Sequence, residues 1–161
     1  MTTINSDILK KYFNFLLSIF NFKLKEIKSY DYALYTKFLS SSVGIYFIYE
    51  FRDSIPQIQF TKLVSDELEQ RPGLYTIKEC YKEENFKLQS FYLDEIIQFK
   101  KGKEYNSYFK DVKTIEDAIK ISTELIDQYA KDFVIGDKKS YDKMNVWFRN
   151  YVMLSSTTAK G

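Results

Sequence analysis

The 161-residue chain contains no histidine, one cysteine, two prolines and five glycines. Without imidazole, Ser-His-Asp and Cys-His mechanisms and His-ligated zinc sites are excluded, and the side chain best suited to shuttling protons near neutral pH is missing. A lone Cys80 forms neither an intramolecular disulfide nor a CxxC site. Nothing therefore depends on an oxidising compartment, and a cytoplasmic location is expected. The carboxylates of Glu79, Glu83 and Glu84 disfavour a thiolate, so Cys80 reads as a small packing residue. Glycines at 44, 73, 102, 136 and 161 are too far apart for a phosphate-cradling loop. The most apolar early stretch, Tyr12 to Phe22, is interrupted by Asn14, Ser18 and Asn21 and is too short to span a bilayer. Lysines follow it at once where a signal peptide would place small residues. No membrane association is expected.

What is present is apolar and aromatic: 45% hydrophobic residues, with 14 Phe and 14 Tyr. That is enough to bury one sizeable core without disulfides or metals. The formal net charge is only +2, which offers no global attraction for nucleic acid or anionic lipid. One α+β domain is expected over residues 1–154, with 155–161 as a flexible tail of small polar residues.

Ile8, Leu9, Tyr12, Phe13, Leu16, Ile19 and Phe20 recur at helical spacing behind Ser6, a candidate N-cap. The period then changes to two. Strands are expected at Phe22–Leu24 onward, at Ala33–Leu39, at Val43–Phe51, whose odd positions are all apolar, and after Pro56, where Ile58 and Phe60 alternate with polar residues. Short polar connections between them predict an antiparallel meander of four to five strands. Arg71, Pro72 and Gly73 mark a turn, and Leu74 to Tyr81 reads as a further strand. Phe91 to Lys100 is expected to be a short helix ended by Gly102. Thr114 with Asp117 resembles a capping box ahead of a helix bearing Ala118, Ile119, Ser122, Ile126 and Tyr129 on one face. Ser140 is expected to cap a last helix carrying Met144, Trp147, Phe148 and Tyr151. The fold class is thus an N-terminal helix, the meander, and two to three C-terminal helices on one face.

Chemistry-bearing patterns are sparse. Asp66 with Glu69 and Asp94 with Glu95 are carboxylate pairs of the kind that serves acid–base catalysis, but carboxylates are equally common on solvated surfaces. Asp111, Glu116 and Asp117 lack the spacing of a calcium loop. No cofactor or metal is expected, and no enzymatic activity. Tyrosine and lysine interleave at residues 23–37 and 100–110, a mix that would stack bases and neutralise phosphates. A strand with solvated lysines and buried aromatics has the same composition, and nucleic acid is not the expected partner.

Charge is uneven along the chain. Residues 1–40 carry six basic and three acidic side chains, and residues 64–84 carry three basic and six acidic ones. The acidic segment supplies the candidate partner-binding residues Asp66, Glu67, Glu69, Glu83 and Glu84, with Tyr75 and Tyr81 as aromatic anchors.

The stretches YFNFLLSIFNFKL (12–24), VGIYFIYEFRDSIPQIQF (43–60), FYLDEIIQF (91–99) and YAKDFVIGDKKSYDKM (129–144) together resemble a loose group of small bacterial proteins, many of them toxin-immunity-like. The resemblance spans about residues 12–144. It implies an α+β domain that binds and blocks a cognate toxin, often a nuclease with a basic cleft, without chemistry of its own. Specificity in such proteins lies on a variable surface, so no binding residues transfer. The expected function is a non-catalytic immunity-type inhibitor. The alternative is a homo-oligomeric scaffold or adaptor, dimeric through exposed aromatics and linked to phage defence or counter-defence.

Overall fold

The computed structural model describes residues 6–52, 55–63 and 71–158, with side chains from 7 to 154 among them. Two short helices, α1 (Ser6–Tyr12) and α2 (Asn14–Ser18), precede strands β1 (Lys23–Ser29), β2 (Ala33–Leu39), β3 (Val43–Glu50) and β4 (Gln57–Lys62). Helix α3 (Leu74–Cys80) leads to β5 (Ser90–Tyr92), α4 (Leu93–Lys101) and a 3-10 turn (Tyr105–Phe109). Helices α5 (Ile115–Tyr129), α6 (Lys131–Val134) and α7 (Lys138–Thr158) complete the described chain. All five strands are antiparallel in sequence order, β1-β2-β3-β4-β5. This is the expected α+β meander.

Period-two patterning sets the inner face. Leu34 and Phe38 on β2, Val43, Ile45 and Phe47 on β3, Ile58 and Phe60 on β4, and Phe91 on β5 are all buried. Burying each such side chain contributes roughly 1.5–3 kcal/mol. Phe13 lies 4.9 Å from Phe38 and 5.7 Å from Phe47, ring to ring, while Phe91 meets Phe133 of α6 at 6.2 Å and Phe148 of α7 at 5.7 Å. Helices from both ends of the chain therefore cover the same face of the sheet.

Four local expectations are corrected. The single N-terminal helix is interrupted at Phe13 (φ −93°, ψ 13°), although Leu9, Phe13 and Leu16, spaced as on one helix face, are all fully buried. Leu74–Cys80 is helical, not a strand. Ile77 and Tyr81, one helical turn apart, are buried while Leu74 and Tyr75 are exposed. Phe91 and Tyr92 belong to β5, because Phe91 pairs with Phe60, and α4 begins only at Leu93. The last helix is capped by Asp137, whose carboxylate accepts from the Ser140 backbone N–H at 3.1 Å and its hydroxyl at 2.8 Å. Ser140 sits inside that first turn. Three expectations agree with the structure. The Thr114 hydroxyl accepts from the Asp117 N–H at 3.1 Å, Gly102 closes α4 in the left-handed region at φ 64°, and the strand boundaries of β2 and β3 fall close to their polar breaks.

Gly136 also has positive φ, 71°, and a Cβ there would come within 3.0 Å of Val43 Cγ2. The α6–α7 turn can therefore lie against the start of β3 only with glycine at this position.

Candidate functional site

Of the residues proposed from charge, the structure describes Tyr75, Tyr81, Glu83 and Glu84. Asp66, Glu67 and Glu69 lie outside the described residues. Tyr75 is 78% exposed, and Glu83 and Glu84 are exposed. Tyr81 is corrected from surface anchor to core: it is 2% exposed, and its hydroxyl donates to Asn145 Oδ1 at 2.9 Å. Burial pushes its phenol well above the usual tyrosine range. The loop after α3 is held down by Arg149, which donates to the carbonyls of Tyr81 at 2.9 Å and Phe86 at 3.0 Å. Asn145 anchors the same region by accepting from the Leu88 N–H at 2.6 Å and donating to the Leu88 carbonyl at 2.8 Å.

Of the carboxylate pairs, Asp94 and Glu95 are separated by environment. Both lie in the first turn of α4, where the helix dipole favours anions. Glu95 is engaged twice: it accepts from the Tyr92 N–H at 2.9 Å and forms a two-pronged pair with Arg71, Nη2 to Oε2 at 2.8 Å and Nη1 to Oε1. Asp94 has no ion pair among the described residues and faces a groove.

That groove is assembled at the end of the sheet where β3 leaves and β4 enters. One part, about 260 Å³, is lined by Ile48, Glu50, Ile55, Pro56, Gln57, Asp94, Tyr105 and Asn106. Its continuation, about 300 Å³, shares Asp94, Tyr105 and Asn106 and adds Glu95, Gln98, Glu104, Trp147 and Tyr151. Every charged residue of the described lining is acidic. Glu95 is neutralised by Arg71, whereas Glu50, Asp94 and Glu104 make no ion pair among the described residues. Although Asp94 keeps contact with solvent, partial burial and then the adjacent Glu95 raise its carboxyl above the ordinary aspartate value. The floor is rigid: buried Tyr105 donates to the Pro56 carbonyl at 2.8 Å, and burial followed by the Asp94 charge holds its phenol well above its usual range. Trp147 and Tyr151 stack at 4.8 Å with ring planes 16° apart, forming an aromatic rim with Tyr151 48% exposed.

Glu50, Glu104 and Asn106 escaped sequence reasoning. Nothing local distinguishes them from other polar residues at element ends. Trp147 and Tyr151 were legible only as an apolar helix face.

The lysine–tyrosine mix on β2 also departs from the buried-aromatic pattern. Tyr35, Lys37 and Tyr46 share the open face, each half-buried, with Lys37 Nζ 5.3 Å from the Tyr46 ring centre and 3.8 Å from Glu26. Glu26 also pairs with Lys28 at 2.8 Å, so these lysines are locally neutralised. Among the described residues no three His, Cys, Asp or Glu side chains are grouped to hold a metal, and no helix is long and apolar enough to cross a membrane. No protein-family model, curated protein or solved structure matches the chain.

Proposed function

We propose that the chain is a non-catalytic, immunity-type inhibitor that presents the groove between α4, the 3-10 turn and α7 to a basic protein partner, occluding the partner's active site. The observation that carries this reading is a groove lined by three carboxylates with no ion pair among the described residues, Glu50, Asp94 and Glu104, and edged in its second part by the stacked Trp147–Tyr151 pair. Aromatic side chains next to a one-signed charged surface combine a desolvated anchor with electrostatic steering, and steric occlusion requires no reactive group. The proposed partner is a cognate toxin such as a nuclease domain with a cationic cleft. Tyr75, Glu83 and Glu84 are not among the residues that line this groove. The homo-oligomeric alternative draws on Val146 and Leu154 of α7, 66% and 67% exposed.

The test is affinity capture from native host lysate with tagged wild type and, in parallel, a variant carrying Glu50→Lys, Asp94→Lys and Glu104→Lys, followed by mass spectrometry. A stoichiometric basic protein retained by wild type and released by the variant supports the reading. Equal retention by both moves the interface elsewhere. Recovery of the chain alone, as a concentration-dependent assembly, favours the scaffold.

A further inference from the structure

A second concavity, about 680 Å³, opens at the opposite end of the sheet from the acidic groove. Strand register establishes the polarity: Lys23 pairs with Leu39 and Leu39 with Gly44 at this end, whereas Ala33 pairs with Glu50 and Ile48 with Gln57 at the other. The walls are the α2–β1 connection, the Ser40–Ser42 turn and the end of α6. Lys23 and Lys25 are the charged residues of its described lining. Neither makes an ion pair among the described residues. The nearest acidic side chain in sequence, Glu26, is already bound by Lys28, and Asp137 is occupied in capping α7. The rest of the lining is mixed: Asn21 and Ser40–Ser42 are polar, while Phe20, Leu39, Val134 and Ile135 are apolar, Ile135 being 56% exposed.

Backbone geometry indicates the form of the occupant. Among the described strands β1 is an edge, hydrogen-bonded to β2; the register shift between Leu24 and Glu26, at Lys25, interrupts that edge, so an added strand would pair on either side of the shift and not across it. An edge strand offers unpaired N–H and C=O groups to an added strand. Lysines along that edge repel a second β1 and favour an acidic strand.

We propose that this cleft and the adjoining β1 edge bind an acidic, extended segment of a partner protein. Its carboxylates meet Lys23 and Lys25, and an apolar side chain next to them packs on Phe20 and Ile135. This site is independent of the acidic groove.

The experiment is selection of a random peptide display library on the purified full chain, followed by fluorescence anisotropy of the best labelled peptide. The comparison set is wild type, Lys23→Glu with Lys25→Glu, Ile135→Asp, and a control, Lys103→Glu with Lys113→Glu. The expected result is enrichment of sequences with Asp or Glu beside an apolar residue and affinity that falls with salt. The Lys23/Lys25 variant should lose about ten-fold or more in affinity, with an unchanged thermal midpoint and circular dichroism spectrum. Ile135→Asp should weaken binding likewise, and the control should not. Failure to enrich, selection of neutral or basic sequences, or indifference to Lys23→Glu with Lys25→Glu would overturn the proposal. So would displacement of the peptide by millimolar pyrophosphate, which would assign the lysines to a small phosphate ligand. A mass that rises with concentration and is abolished by the same two substitutions would assign the cleft to a second copy of the chain.

Discussion

The Arg71 guanidinium lies 4.2 Å from the centre of the Tyr92 ring while both of its terminal nitrogens bond the carboxylate of Glu95. With side chains only 6% and 16% exposed, this pair ties the start of α3 to the N-terminus of α4. Removing one member of a buried pair leaves an uncompensated charge, which costs about 3 kcal/mol or more. Arg71→Ala is expected to lower the urea midpoint accordingly. Arg71→Lys should recover little of the loss, because an ammonium cannot make the two-pronged bond or lie flat over Tyr92. Full rescue by lysine would show that charge alone matters here.

Asn145 satisfies all its hydrogen-bonding capacity inside the protein, accepting from Tyr81 and Leu88 and donating to the carbonyls of Leu88 and Tyr141. Truncation strands several buried groups at once, so Asn145→Ala should cost about 3 kcal/mol, against about 1 kcal/mol for Tyr81→Phe. The double variant should cost less than the sum of the two. Additive losses in chemical denaturation would mean that the two side chains act independently.

Thr36 faces the core from β2 at 1% exposure, and its hydroxyl has no hydrogen-bond partner among the described residues. Replacing an unpaired buried hydroxyl by a methyl of similar shape removes a desolvation penalty, so Thr36→Val should stabilise the fold by about 1 kcal/mol. A lower thermal midpoint for this variant would contradict that account.

Asp94 lines the acidic groove with its carboxyl raised by burial and by the neighbouring Glu95. Its folded-state carboxyl lies above the ordinary value of 3.8, so the native state holds the proton more tightly than the unfolded chain. Its contribution to stability is therefore present below that value and lost as pH rises through the raised one. Asp94→Asn should match or exceed wild type in urea midpoint at pH 7 and lose that advantage at acid pH. The same substitution should weaken capture of a basic partner, separating binding from folding. A variant less stable than wild type at pH 7 would show that the carboxylate is structural.

Local pattern carried much of the architecture. Apolar residues at every odd position from Val43 to Phe51 mark β3, Thr114 and Asp117 mark the start of α5, and Gly102 marks the end of α4, because each depends on chain neighbours within one turn or one pleat. The apolar residues of Leu74–Cys80 fit either period, so local pattern does not separate strand from helix there. Packing Ile77 and Tyr81 together on one side of the segment, with Tyr81 bonded to Asn145 of α7, decided for helix. β5 is only three residues long, and its strand character comes from pairing with β4 across an intervening helix.

By itself the sequence determined the class of fold, the absence of histidine- and cysteine-based chemistry, and a near-neutral total charge. The tertiary structure alone decided how that charge is distributed. Glu50, Asp94 and Glu104, distant in sequence, converge at one end of the sheet, and Lys23 and Lys25 stand beside the apolar end of α6 at the other. Such juxtapositions follow from strand register and helix packing, which join residues many positions apart and leave no periodic trace along the chain.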